Sequence, residues 1–116
     1  MKILIKGAGD LATGVAWVLK TAGMQVVMTE LERPTVIRRS VSFAEAMFEG
    51  KTTVEGIRAV KSDMDSYRGV LGAGDIPVLA DPEARVAGDW KPEVLVDAIL
   101  AKKNLGTSRG DAPLVI

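Results

Sequence analysis

Gly7, Gly9 and Ala12 follow the apolar run Met1-Lys-Ile-Leu-Ile5 at the spacing Gly-x-Gly-x-x-Ala. Each small residue in that spacing has its own duty in binding a pyrophosphate. Gly7 lets the chain reverse tightly after a strand. Gly9 has no β-carbon and lets a phosphate approach the backbone, and Ala12 lets the next helix pack closely on the strand. The free N–H groups and positive dipole end at the helix start then face the phosphates. Glu30 stands about 20 positions past the glycines, where a carboxylate accepts hydrogen bonds from the adenosine ribose hydroxyls. The chemistry predicted is binding of a nucleotide or dinucleotide, with NAD or NADP as the cofactor. Glu30 favours NAD, because a carboxylate repels a 2′-phosphate, whereas Arg33 just beyond it is placed to meet that phosphate. Asp10 and Thr13 flank the turn and are candidates to orient a ligand, with helix capping the simpler role for Asp10. Asp97 interrupts an apolar stretch, which is costly unless the carboxylate is paired or lies at the strand's carboxyl end, where ligands bind. It is either a site residue or a structural one held by backbone N–H groups.

The composition narrows what else the chain can do. Among 116 residues there is no cysteine and no histidine. Disulfides, thiolate nucleophiles, Cys/His metal sites and an imidazole base are therefore excluded. Any catalysis must use carboxylates, lysines, Tyr67, hydroxyls or a bound cofactor, and no pair of carboxylates is singled out as acid and base. The complete phosphate-loop signature Gly-x-x-x-x-Gly-Lys-Ser/Thr is missing, which argues against a nucleoside triphosphatase of that class. The 15 basic and 15 acidic residues balance and are spread along the chain, so nothing suggests nucleic acid or an anionic membrane surface. No stretch approaches the ~20 apolar residues that span a bilayer, and the start lacks a signal-peptide layout. The expectation is a cytoplasmic protein.

These residues need elements to position them. A helix over 10–22 is expected, burying the stripe Leu11, Val15, Val18 and Ala22 with Ala12, Ala16 and Leu19 beside it. Asp10, Thr13, Trp17, Lys20 and Thr21 fall on the other side, and Gly23 ends the helix. Gln25–Thr29 reads as a buried parallel strand ending at Glu30. The stretch 31–40 reads as irregular around Pro34, with Arg38 and Arg39 on a basic edge. Ser42-Phe-Ala-Glu45 has the form of a capping box, predicting a helix to about Phe48 with Phe43, Met47 and Phe48 on its buried side and Gly50 ending it. Thr53–Val60 reads as a strand and Ser62–Leu71 as a helical stretch. Gly72-Ala-Gly-Asp75 repeats Gly7-Ala-Gly-Asp10 letter for letter. The Ile76-Pro77 that follows fits strand entry, so the repeat reads as a helix-to-strand turn and not a second phosphate loop. Asp81-Pro82 opens a short helical turn at most, Glu93–Ile99 is a strand, 101–110 a polar connection, and 111–116 the start of another strand. The pattern is α/β and Rossmann-like: one domain over 1–116 with a mainly parallel sheet and helices on both faces. A strand at the very end predicts a fragment whose open edge is covered by missing sequence or by another subunit, as in a homo-oligomer.

Several longer phrases carry a family resemblance: Ile5-Lys-Gly-Ala-Gly-Asp-Leu-Ala-Thr-Gly14, Val27-Met-Thr-Glu30, Arg38-Arg-Ser-Val-Ser-Phe-Ala-Glu-Ala46, Val54-Glu-Gly56, Ile76-Pro-Val-Leu-Ala-Asp-Pro82 and Val94-Leu-Val-Asp-Ala-Ile-Leu-Ala-Lys-Lys-Asn-Leu-Gly-Thr107. Together they resemble the accessory proteins of selenium-dependent molybdenum hydroxylases. That family is related to the accessory factors of xanthine dehydrogenase, which contain a Rossmann-type domain. The resemblance covers nearly the whole chain, and its last block is more specific than the glycine spacing. It implies a helper in maturing a molybdenum hydroxylase, in the handling of the labile selenium or sulfur of its cofactor, and a chain longer than this one. It identifies no catalytic residue, and the lack of cysteine argues against covalent carriage of sulfur or selenium here. Two other classes stay open: a small NAD(P)-dependent oxidoreductase, and a regulatory nucleotide-sensing module like those that gate potassium transporters.

Overall fold

Strand β1, Lys2–Lys6, is the apolar run that opens the chain, and Leu4 and Ile5 within it are fully buried. In the computed structural model, which describes residues 1–31, 42–81, 83–98 and 114–115, it is followed by α1 (Asp10–Thr21) and β2 (Gln25–Glu30). A 3-10 turn, Phe43–Glu45, then runs into α2 (Ala46–Glu49). The hairpin β3 (Lys51–Val54) and β4 (Ile57–Ser62) comes next, followed by α3 (Tyr67–Gly72) and β5 (Ile76–Ala80). The chain continues through α4 (Val86–Trp90) and β6 (Val94–Asp97) to β7 (Leu114–Val115).

The strands form one sheet in the order β3-β4-β5-β2-β1-β6-β7, parallel throughout except for the β3–β4 hairpin. The protein is thus α/β with a mostly parallel sheet. Side chains alternate across such a sheet, and the core divides accordingly. Ile3, Ile5, Val26 and Met28 pack with Ala12 and Ala16 of α1 and with Phe43 and Met47. Leu4, Val27, Leu79 and Leu95 pack on the opposite side with Tyr67 of α3 and with Val86 and Trp90 of α4. Helices therefore cover both faces, which is why the central strands read as continuous apolar runs. No helix among the described residues is long and apolar enough to cross a membrane.

The structure corrects several local expectations. Helix α1 is turned about its axis relative to the predicted stripe. Leu11 and Val18 are 60% and 59% exposed, whereas Ala12, Thr13 and Ala16 are buried. The close approach that requires a small residue at Ala12 sets the helix rotation, and Leu11 and Val18 then face outward. Thr13, expected on the polar side, goes inside. The predicted strand Thr53–Val60 is a hairpin: Glu55 and Gly56 both have positive φ, 46° and 86°, as a two-residue turn of this type demands. Ser62 is the last residue of β4 and not the first of a helix. The Asp63 carboxylate instead accepts the N–H groups of Asp65 and Ser66, both at 2.9 Å, and α3 begins only at Tyr67. Asp81 caps from a distance, accepting the N–H groups of Arg85 and Val86 at 2.8 Å each, so α4 starts well beyond the short turn expected at Asp81-Pro82.

Both Gly-Ala-Gly-Asp stretches are resolved in their roles. The second ends α3: Gly74 N–H bonds the Leu71 carbonyl and Asp75 N–H the Val70 carbonyl, a paired helix-ending pattern that α1 also uses at Gly23 and Met24. It is a helix-to-strand turn. The predicted irregular stretch 31–40 and the polar connection 101–110 fall almost wholly outside the described residues, and Arg33, Arg38 and Arg39 lie there.

Candidate functional site

The first Gly-Ala-Gly stretch leaves the carboxyl end of β1 at the point where the strand order reverses. From β1 the sheet extends through β2, β5, β4 and β3 on one side, and through β6 and β7 on the other, so the chain crosses from one side of β1 to the other between β5 and β6. Open parallel sheets bind ligands in the crevice at such a reversal, outside the strands' carboxyl ends. Gly7 has φ 106°, a left-handed conformation open to glycine, and its N–H bonds the Thr29 carbonyl of β2 at 2.6 Å. Gly9 is the N-cap of α1 and supplies no side chain to the helix's first N–H groups. The first helical bond runs from Thr13 N–H to the Gly9 carbonyl at 2.8 Å. Asp10 is therefore the first helical residue rather than the cap.

Glu30, the last residue of β2, reaches back to this turn. One carboxylate oxygen, Oε1, accepts the Ala8 N–H at 3.0 Å, and Oε2 accepts the Leu31 N–H at 2.8 Å. An ionised carboxylate offers about four acceptor positions, so each oxygen retains one for a further donor. The acid is half-buried and is held beside the turn.

Three donors converge on the Ala8 carbonyl: the Thr13 hydroxyl at 3.2 Å, the Ser42 hydroxyl at 3.1 Å and the Ala44 N–H at 2.8 Å. Thr13 Oγ1 in turn accepts the Phe43 N–H at 2.9 Å. Thr13 is thus engaged on both its donor and acceptor sides in tying the turn to the 3-10 segment. On the other side of β1, Asp97 is the exposed final residue of β6, in register with Lys6, and Ala98 N–H bonds the Lys6 carbonyl at 2.9 Å.

The structure therefore brings Gly7, Gly9, Ala12, Thr13 and Glu30 together around one turn, with Asp97 at the neighbouring strand end. Arg33 lies outside the described residues. Sequence reasoning missed Ser42, whose capping-box position was noted but whose reach to Ala8 depends on tertiary packing. It also missed Lys6, fully buried at the end of β1, and its register neighbour Thr29, whose buried Oγ1 has no hydrogen-bond partner. A lysine and a threonine closing apolar runs at two adjacent strand ends were the available signal. A cavity of about 690 Å³ at the carboxyl ends of β4 and β5 also went unforeseen. Among the described residues no group of acidic side chains is arranged to hold a metal ion.

The architecture and the turn define an α/β protein with a glycine-rich connection at its strand-order reversal. Its sequence is 47% identical over 116 residues to the uncharacterized protein YqeB of Escherichia coli (strain K12). That alignment takes in 98% of this chain and 21% of YqeB, so the chain spans about a fifth of the curated relative's length. No protein-family model matches the chain, and no solved structure matches it.

Proposed function

We propose that this chain is a Rossmann-like unit that binds a nucleotide or dinucleotide and serves the maturation of a selenium-dependent molybdenum hydroxylase. The observation that carries the binding half is the Glu30 carboxylate, held on the Ala8 N–H of the glycine turn with acceptor positions to spare. A ribose placed there would donate its hydroxyls to Glu30 while its phosphates meet the N–H groups at the start of α1. NAD fits this arrangement better than NADP, since Glu30 opposes a 2′-phosphate. The accessory half rests on the resemblance of the longer phrases to that family.

Calorimetric titration with NAD, NADP and molybdopterin-type nucleotides tests the binding half, with Gly9→Val as control. Saturable binding that the variant loses supports the turn as the site, and no binding by a folded chain removes it. The accessory role calls for affinity capture with the full-length protein. Recovery of a molybdenum hydroxylase supports it; ligand-dependent turnover without such a partner favours an oxidoreductase.

A further inference from the structure

We propose that the outward face of α1 is an interface between two copies of this chain, packed antiparallel about a two-fold axis that passes between Gly14 and Val15. The inference is independent of what the glycine turn binds. It starts from the rotation of α1. Burial of Ala12, Thr13 and Ala16 turns Leu11 and Val18 outward, where they are 60% and 59% exposed. With Gly14, the half-buried Val15 and the exposed Ala22 they stand at i, i+3, i+4, i+7 and i+11, one side of a helix. Asp10 and Lys20 are the only charged residues of α1, and neither falls in that set. A surface helix ordinarily carries its charges on the side away from the core, and one that is apolar there as well is covered on both sides. The sheet covers only one.

Symmetry and charge select a second copy. A two-fold interface sets a patch against its own image, so the patch must complement itself. In an antiparallel pair centred between Gly14 and Val15, Leu11 of one copy lies beside Val18 of the other, and the same contact recurs across the axis. Gly14 stands at the crossing. A Cβ built there would meet nothing within 4 Å, so the backbone is bare to an approaching helix and the axes can come close. An uncharged patch does not repel its image, and the balance of 15 basic and 15 acidic residues leaves the two copies without net repulsion. The same lack of charge speaks against a lipid surface. Helices that lie on membranes are rich in lysine and arginine, and α1 has only Lys20.

Area sets the strength of the association. The 12 residues of α1 make a helix about 18 Å long. One face of such a helix falls short of the roughly 800 Å² per partner that a standard stable interface buries. The dimer is therefore reversible and forms as concentration rises, with each copy folded on its own.

Sedimentation equilibrium from micromolar to millimolar concentration tests this. The apparent mass of the unaltered chain should rise from 12.3 kDa toward twice that value. Val18→Glu and Leu11→Glu place a charge at exposed positions, and circular dichroism melting establishes that both variants are folded. Each should hold the mass at that of a single chain. Met64→Glu, also at an exposed position but on the connection from β4 to α3, should leave association unchanged. A single-chain mass for the unaltered protein at every concentration overturns the proposal and leaves the face to a different protein. Association that survives both α1 variants overturns it too, by placing the contact elsewhere. The antiparallel crossing has its own test, because the chain contains no cysteine. Leu11→Cys mixed with Val18→Cys should form a mixed disulfide at least tenfold faster than either variant pairs with itself. Self-pairing of either variant at an equal or higher rate overturns the arrangement.

Discussion

The Glu30 carboxylate already holds two backbone N–H groups, Ala8 at 3.0 Å and Leu31 at 2.8 Å, so it shapes the turn as well as offering acceptors to a ligand. Glu30→Gln separates the two roles. The amide has one oxygen for two donors and faces the other with an NH₂, which should cost about 1–3 kcal/mol in urea denaturation. Removing the charge should also move the NADP-to-NAD affinity ratio upward by about tenfold; an unmoved ratio would place the ribose elsewhere. Thr13 makes the opposite case. Its hydroxyl donates to the Ala8 carbonyl and accepts the Phe43 N–H, so Thr13→Val should leave the buried Phe43 N–H unpaired and destabilise by about 1–3 kcal/mol. Thr13→Ser should recover most of that loss. A Thr13→Val chain as stable as the parent, yet defective in ligand binding, would return Thr13 to the ligand. At this scale the sequence revealed which residues gather at the turn, because glycine spacing encodes backbone geometry locally. It did not reveal which side chains are spent on the protein itself, because Ser42 and Phe43 come to Ala8 only through folding across distant parts of the chain.

Elements were legible where a local pattern had one solution and misread where two patterns competed. The β1–α1–β2 unit and the turn at Gly72–Asp75 follow from apolar runs, glycines and a proline whose meanings agree. In α1 they disagree: periodicity would bury Leu11 and Val18, whereas the glycine fingerprint requires Ala12 against the sheet. The backbone turn decides, and Ala16 is left fully buried while Leu11 stays 60% exposed. The two rotations make opposite predictions. Leu11→Ser should change stability by no more than about 0.5 kcal/mol, whereas Ala16→Leu should overpack the interface with β1 and β2 and cost about 1–3 kcal/mol. Thermal melts of the two variants decide between them, and the reverse ranking would restore the predicted stripe. The β3–β4 hairpin was missed for a related reason. Glu-Gly lacks the asparagine or aspartate that usually marks such a turn, and only the antiparallel pairing of Lys51–Val54 with Ile57–Val60 exposes it. Helix α4 depends on Asp81 reaching forward to Arg85 and Val86, a capping geometry that spacing alone does not disclose.

Across the whole molecule, the two faces of the sheet are closed by different means. One is covered by the long helix α1 together with the 3-10 turn and α2, whereas the other is covered by the short helices α3 and α4, too short to be stable without tertiary support. Tyr67 joins these two. It is fully buried, and its O–H donates to the Asp89 carboxylate, with Arg68 bridging to the same carboxylate at 3.2 Å. Burial, reinforced by this hydrogen bond, pushes the Tyr67 phenol up to about 12, and the same bond holds the Asp89 carboxyl below its ordinary range. The linkage has a definite sign on each limb. Between about pH 10 and 12 the folded chain keeps the phenolic proton that the unfolded chain has lost, so stability falls as pH rises through that window. On the acid side the contribution of Asp89 is present above the unfolded carboxylate pKa of about 4 and is lost as pH falls toward the lower folded value. Tyr67→Phe removes the titrating phenol and the donor to Asp89 together. Its urea midpoint, followed from acid to alkaline pH alongside the parent, should lie lower at neutral pH and fall less steeply on both limbs. Parallel profiles would show that α3 and α4 are held by their apolar contacts with Leu4, Val27 and Leu95 alone, leaving the Tyr67–Asp89 link without a part in closing that face.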